Sequence, residues 1–338
     1  MDFLQYEGRK DQQGRPHGQG RMKYKTNGDV YEGEWTHGQQ QGYGVFKDAI
    51  YRTVYVGEWF RGKRHGQGAT MFPSGMTHRG KYIEDEVQGE GTIWYADGGY
   101  YWGDLCKLIR HGRGVFRDGE GKVYNGDWVN DQKHGYGRLT EPDGHQYFEG
   151  YWDQDLPQGR GTQAKFHPYS HSLTTYNGIF RNGLLQGPGF MSDETGGTYR
   201  GEFVDGNKHG TGTMYQPSGD MYQGVFRNDL FHRGVSKLTN GTNISGQFFN
   251  LLPDGEAAVD YQNGSYYQGM MTRGQREGQG VLHTMDGVEL NGHFEEDLPD
   301  GRGKLRLPDG TEYDSMFVRG KEVLDAEPKP KVKPPVDK

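Results

Sequence analysis

Aromatic residues and glycines alternate with polar residues along nearly the whole chain. The clearest stretch is Tyr55-Val-Gly-Glu-Trp-Phe-Arg-Gly-Lys-Arg-His-Gly-Gln-Gly68. Its opening, Tyr-x-Gly-x-Trp, has a period of two, which puts Tyr, Gly and Trp on one face of a strand. The glycine between the two aromatics leaves room for a ring from a neighbouring strand to lie flat. A second strand is predicted after the Gly-x-Gly pair, as in Thr92-Ile-Trp-Tyr95 or Val281-Leu282. Between units stand Pro73-Ser-Gly75, Ala96-Asp-Gly98, Pro142-Asp-Gly144, Pro217-Ser-Gly219 and Pro308-Asp-Gly310. Such pairs supply the positive φ of tight turns, so each unit reads as a β-hairpin.

The unit recurs from Tyr6, Tyr31, Tyr55, His78, Tyr101, Tyr124, Phe148, Tyr176, Tyr199, Tyr222, Ile244, Tyr267, Leu290 and Tyr313. Successive starts lie 22 to 25 residues apart, apart from one step of 28 after Phe148. A fixed period over this length is the mark of a repeat array. The expected fold is all-β: an elongated single-layer antiparallel β-meander of about fourteen hairpins. At ~4.8 Å per strand it would extend roughly 130 Å before twist shortens it. Four segments are expected: 1–165, Trp-rich repeats; 166–175, a loop insertion; 176–321, Phe-rich repeats; and 322–338, a disordered Pro/Lys tail.

Composition agrees with a thin sheet lacking a thick core. Only 31% of the 338 residues are hydrophobic, yet 13% are aromatic and 58 are Gly. The net charge of -7 is uneven, because residues 251–300 alone carry -8. No basic stripe suited to nucleic acid is present. One cysteine, Cys106, precludes an intrachain disulfide and fits a reducing compartment. The first residues do not read as a signal peptide, and no run has membrane-spanning length, so a cytoplasmic protein is expected.

Tyr-Glu-Gly-Glu-Trp at Tyr31 and Gly-Lys-Arg-His-Gly-Gln-Gly at Gly62 resemble the MORN repeat, the membrane occupation and recognition nexus. The resemblance covers residues 6–321. It implies a single-layer antiparallel sheet serving as a scaffold or binding platform, often in cytoskeletal and ciliary assemblies such as radial spoke heads. The function expected from it is non-enzymatic. The chain would be a scaffold of a cytoskeletal assembly, of the radial-spoke-head type in the axoneme of a cilium or flagellum, with proteins of that complex as partners. The competing expectations are a phosphoinositide or membrane adaptor and a regulatory subunit of a separate enzyme.

With the fold common to all copies, function is sought where they differ. The fifth motif position reads Trp35, Trp59, Tyr82, Leu105, Trp128 and Trp152, then turns to Phe and Met from Phe180 onward. Trp35, Trp59, Tyr82, Trp128 and Trp152 are the expected aromatic partner-binding face. The fourth position, on the opposite face, is charged at Arg9, Glu34, Glu58, Lys81, Asp104 and Asp127, and later partly apolar. Val225, Met270 and Met316 there are the expected self-association face of a homodimer. The units at Tyr222 and Ile244 depart from the Gly-x-Gly pattern, which leaves their register open. Gly57-x-x-x-x-Gly62-Lys63 imitates a phosphate loop, but Arg64 follows where Ser or Thr is needed. His17, His65, His111, His134 and His209 share one repeat position without further ligands, so they stabilise loops, and no metal is expected. No catalytic residue and no cofactor are expected.

Overall fold

The computed structural model describes residues 3–167 and 171–323. They form 28 strands in one open antiparallel sheet, running from Phe3–Lys10 to Lys321–Val323 with no helix. Every motif start lies in the first strand of a hairpin, so the strands make fourteen hairpins in chain order. The chain divides into two compact units, Met1–Lys165 with Phe180–Gly183, and Phe166–Ile179 with Leu184–Lys338.

The third hairpin, Val54–Phe60 and Lys63–Met71, shows how the motif folds. Arg61 and Gly62 join its strands with φ of +50° and +76°, the two-residue type I′ turn that matches strand twist. Most turns of this kind in the chain use a non-glycine residue at the first place, and several at both, such as Lys107-Leu108 and Asn130-Asp131. The Gly-x-Gly pair has two separate duties. Gly66, at φ +63°, makes the bulge that shifts the register between Gly57 and Trp59. Gly68 lies under the Tyr55 ring, where a Cβ would come 2.6 Å from Cζ. The ring thus crosses to the paired strand of its own hairpin, whereas Gly57, the glycine between the two aromatics, meets the hydroxyl end of Tyr55 from its own strand and not a neighbouring strand's ring. Its hydroxyl donates to the Glu58 carbonyl at 2.9 Å.

Tyr, Gly and Trp do share one face, and that face is the core. Tyr31 is 0% and Trp35 3% exposed. Tyr31 and Tyr124 each meet the tryptophan of their own strand and that of the next hairpin edge-on. Tyr31 lies 5.0 Å from Trp35 and 5.1 Å from Trp59, near-perpendicular to both. In the second unit Tyr199 meets Phe203 and Phe226 likewise. In the first unit the indoles also donate hydrogen bonds to glycine carbonyls of the preceding hairpin, Trp35 to Gly20 and Trp152 to Gly137, each at 3.0 Å.

A single layer buries this face by covering it with its own cations. Arg64 lies over Tyr55 and Tyr82, Arg110 over Trp128 at 4.2 Å, and Lys133 over Trp152 at 5.2 Å. Each cation pairs with an aspartate in the next type I′ turn: Arg64 with Asp85, Arg110 with Asp131, Lys133 with Asp155. The same aspartates accept the backbone N–H of the cationic residue, and their own N–H returns to its carbonyl. Successive hairpin tips are thus stitched together.

The irregular units keep their pairing. In the tenth hairpin Gly224 opposes Gly234 and Phe226 opposes Phe231, with the bulge one residue shorter than usual. In the eleventh, Ala257 replaces the second glycine and Ile244 replaces the tyrosine over it, both buried. A smaller side chain above admits a methyl below. The long step after Phe148 is not simply a loop, because strands Leu156–His167 and Ser172–Arg181 extend into residues 166–175. Of the expected tail, Glu322 and Val323 belong to the last strand, and residues 324–338 lie outside those described.

Candidate functional site

Trp35, Trp59, Tyr82, Trp128 and Trp152 are all buried. The expectation that they form a partner-binding face is corrected: they are the packed core, closed by the cationic lids. Tyr82 sits in a small polar network there, with its hydroxyl 2.7 Å from Thr70 Oγ1 and 2.9 Å from His78 Nδ1. His78 replaces the motif tyrosine, and its Nε2 is buried without a partner. Burial first, and the Arg64 charge second, push the His78 pKa down to about 4, so the ring is neutral. The other histidine column contributes backbone: the carbonyls of His111, His134 and His209 accept tyrosine hydroxyls at 3.3 Å.

On the opposite face, the charged fourth positions have a structural duty that sequence reasoning missed. Glu34, Glu58, Asp104 and Asp127 accept the backbone N–H of the middle residue of their own Gly-x-Gly, at Tyr43, Gln67, Arg113 and Tyr136. They cap donors that the bulge leaves outside the strand ladder. In the eighth hairpin the fourth position is Ile179 and the middle residue is Pro188, which has no N–H to cap. There the fourth position is free to be apolar.

The three expected self-association residues do not form one patch. Met270 is exposed, while Val225 and Met316 are half-buried. Met270 borders a shallow depression of about 450 Å³ with Ala257, Ala258 and Gly269, and Met316 borders one of about 480 Å³ with Gly292 and Gly303. Gln279 lines both, and Val225 lines neither.

The large exposed aromatics of the first unit lie elsewhere. Trp94 is 44% and Trp102 52% exposed, on the face away from the core. They occupy the fourth and fifth hairpins, Thr77–Ile83 with Glu86–Trp94 and Tyr100–Cys106 with Ile109–Arg117. Register puts Trp94 opposite Tyr100 and Thr92 opposite Trp102, so the two indoles are diagonal neighbours. Arg79 lies across Thr92 from Trp102, Arg117 faces Tyr100, and Met71 faces Thr77 beside Trp94. The sequence carried a signal for this site: both tryptophans fall out of phase with the Tyr-Gly-Trp face. No group of three or more metal-ligand side chains occurs among the described residues.

A sequence profile of the MORN repeat matches residues 6–28, 31–50, 55–77, 124–146, 148–164, 176–198, 199–221, 267–288 and 291–312. A search of curated proteins finds no match. The nine matched segments cover more than half of the chain and coincide with hairpins of the sheet. MORN repeats serve in protein interaction or in membrane association. On its motif, its register and this match, the chain belongs to the MORN-repeat family.

Proposed function

We propose that the protein is a non-enzymatic scaffold that holds other proteins of a cytoskeletal assembly. The observation that carries this reading is the outward face. There, large aromatic side chains stand exposed on a sheet whose backbone is braced by tip-to-tip hydrogen bonds and bulge caps. A face stiffened in this way loses little conformational entropy when a partner docks. A cytoplasmic, cytoskeletal location, and a radial-spoke-head-like place in the axoneme of a cilium or flagellum, extend the proposal on the strength of the family resemblance alone.

The test is affinity capture of the tagged chain from its own cells, with microscopy of the same tag. Axonemal or other cytoskeletal proteins in the eluate, and the tag on the axoneme, support the reading. A tag on membranes with lipid enzymes in the eluate replaces it with the adaptor reading. Baits altered at Trp35, Trp59, Trp128 or Trp152 do not serve, because those changes strike the core.

A further inference from the structure

We infer that the Trp94–Trp102 surface of the fourth and fifth hairpins is a docking site for an acidic, extended segment of a partner protein. The inference rests on the interaction-scaffold reading and gives it a place and a chemistry. Neither tryptophan is required by the repeat. At the position of Trp102 other hairpins carry Glu32, Arg79, Asn125, Glu149, Arg200, Gln223 and Asn291. At that of Trp94 most carry polar residues, such as Lys47, Arg117, Thr140, Lys237, Asp260 and Arg306, and the exceptions include Met71 and Tyr215. Polar residues suffice for the fold at both places. Two indoles in adjacent hairpins instead leave large apolar surface in water.

The surrounding charge selects the partner. Arg79 and Arg117 flank the indoles, are exposed, and form no ion pair among the described residues. The nearby loop carboxylates are turned inward: Asp97 accepts the Gly99 N–H, and Asp118 those of Glu120 and Lys122. One row further along, Asp104 accepts the Arg113 N–H, and the exposed Glu90 stands opposite it. The two rows that hold the tryptophans carry Arg79 and Arg117 and no carboxylate beside the indoles. Exposed Trp and Arg together are the side chains most often dominant in binding interfaces. Two arginines on either side of two indoles fit a chain with carboxylates flanking an apolar anchor, laid across the strands.

The test uses the full chain and a library of randomised displayed peptides, with the Trp94→Ser/Trp102→Ser chain as counter-target. Selected peptides are then labelled with fluorescein and titrated by anisotropy. The expected ligands are rich in Asp and Glu around an aromatic or aliphatic residue. Their affinity falls at least about tenfold with Trp94→Ser/Trp102→Ser, and similarly with Arg79→Glu/Arg117→Glu, and it weakens with salt. Unchanged circular dichroism melts show that both variants fold, since all four side chains are exposed. The inference is overturned if no peptide separates the two chains, or if the ligands are neutral or basic. Concentration-dependent dimerisation lost in the tryptophan variant overturns it in favour of a second copy. Binding to phosphatidylserine vesicles, lost in the same variant, overturns it in favour of a membrane. Peptide binding that persists when cellular capture yields no cytoskeletal protein would sink the cellular reading and leave this one standing.

Discussion

Gly68→Ala isolates the contact on which the repeat depends. Gly68 has no left-handed φ to lose, so the substitution is a steric one. The new methyl would stand 2.6 Å from Tyr55 Cζ, about 1 Å inside ordinary contact. The ring cannot easily yield. Trp59 and Tyr82 hold it edge-on at 5.3 and 5.0 Å, Arg64 lies above it, and its hydroxyl is tied to the Glu58 carbonyl. Overpacking of this kind costs about 1–3 kcal/mol, and the pinned ring argues for the upper end. The eleventh hairpin indicates the remedy, since Ile244 sits with Ala257 there. Tyr55→Ile alone is expected to cost about 3 kcal/mol for the lost ring. Adding Gly68→Ala to it should then cost almost nothing, which is a coupling of about 2 kcal/mol. Arrays of repeats need not unfold in one step, so urea titrations are read together with hydrogen exchange at residues 54–71. Costs that add to within about 0.5 kcal/mol would refute the reasoning.

Four further outcomes follow from the same geometry. Trp59→Ala should lower stability by about 3–5 kcal/mol, whereas Trp102→Ala should change it by no more than about 0.5 kcal/mol, as urea titration will show. His78 has a folded pKa of about 4, below its unfolded value near 6.5. Its neutral form is fully compatible with the fold above pH 6.5, and stability is lost as pH falls from about 6.5 towards 4, by at most about 3 kcal/mol. The urea midpoint should drop between pH 7 and pH 5, and this part of the drop should vanish in His78→Gln. Leu251 sits at φ +66° after Asn250, so Leu251→Gly should stabilise by about 0.5–1 kcal/mol, seen as a raised Tm. Glu58→Ala uncaps the Gln67 N–H and should speed its hydrogen exchange, while Glu58→Gln, which keeps an acceptor, should restore much of the protection.

Much of the fold was legible because hairpin formation is a local matter. Tyr55, Gly57 and Trp59 declare one face by their spacing alone, and the Pro-Ser-Gly and Asp-Gly turns declare where the chain reverses. The irregular units were less legible. Their register depended on one bulge residue, His232, and on the exchange of Tyr and Gly for Ile and Ala at 244 and 257. The two-residue turns were hidden for a similar reason. Glu84-Asp85 and Lys107-Leu108 are not residues that usually announce positive φ, and the surrounding pairing imposes it.

The site was the least legible part. An alternating pattern says which residues share a face, but not which face is covered. Strand period by itself determined the hairpins, their number and the grouping of Tyr, Gly and Trp. Only the tertiary structure decided that this group is the core. Arg64, Arg110 and Lys133 reach over the rings, and aspartates from the following hairpin hold them there. Exposure is a property of neighbours some twenty residues away. That is why Trp35 lies inside and Trp102, one position out of phase in its own motif, faces water.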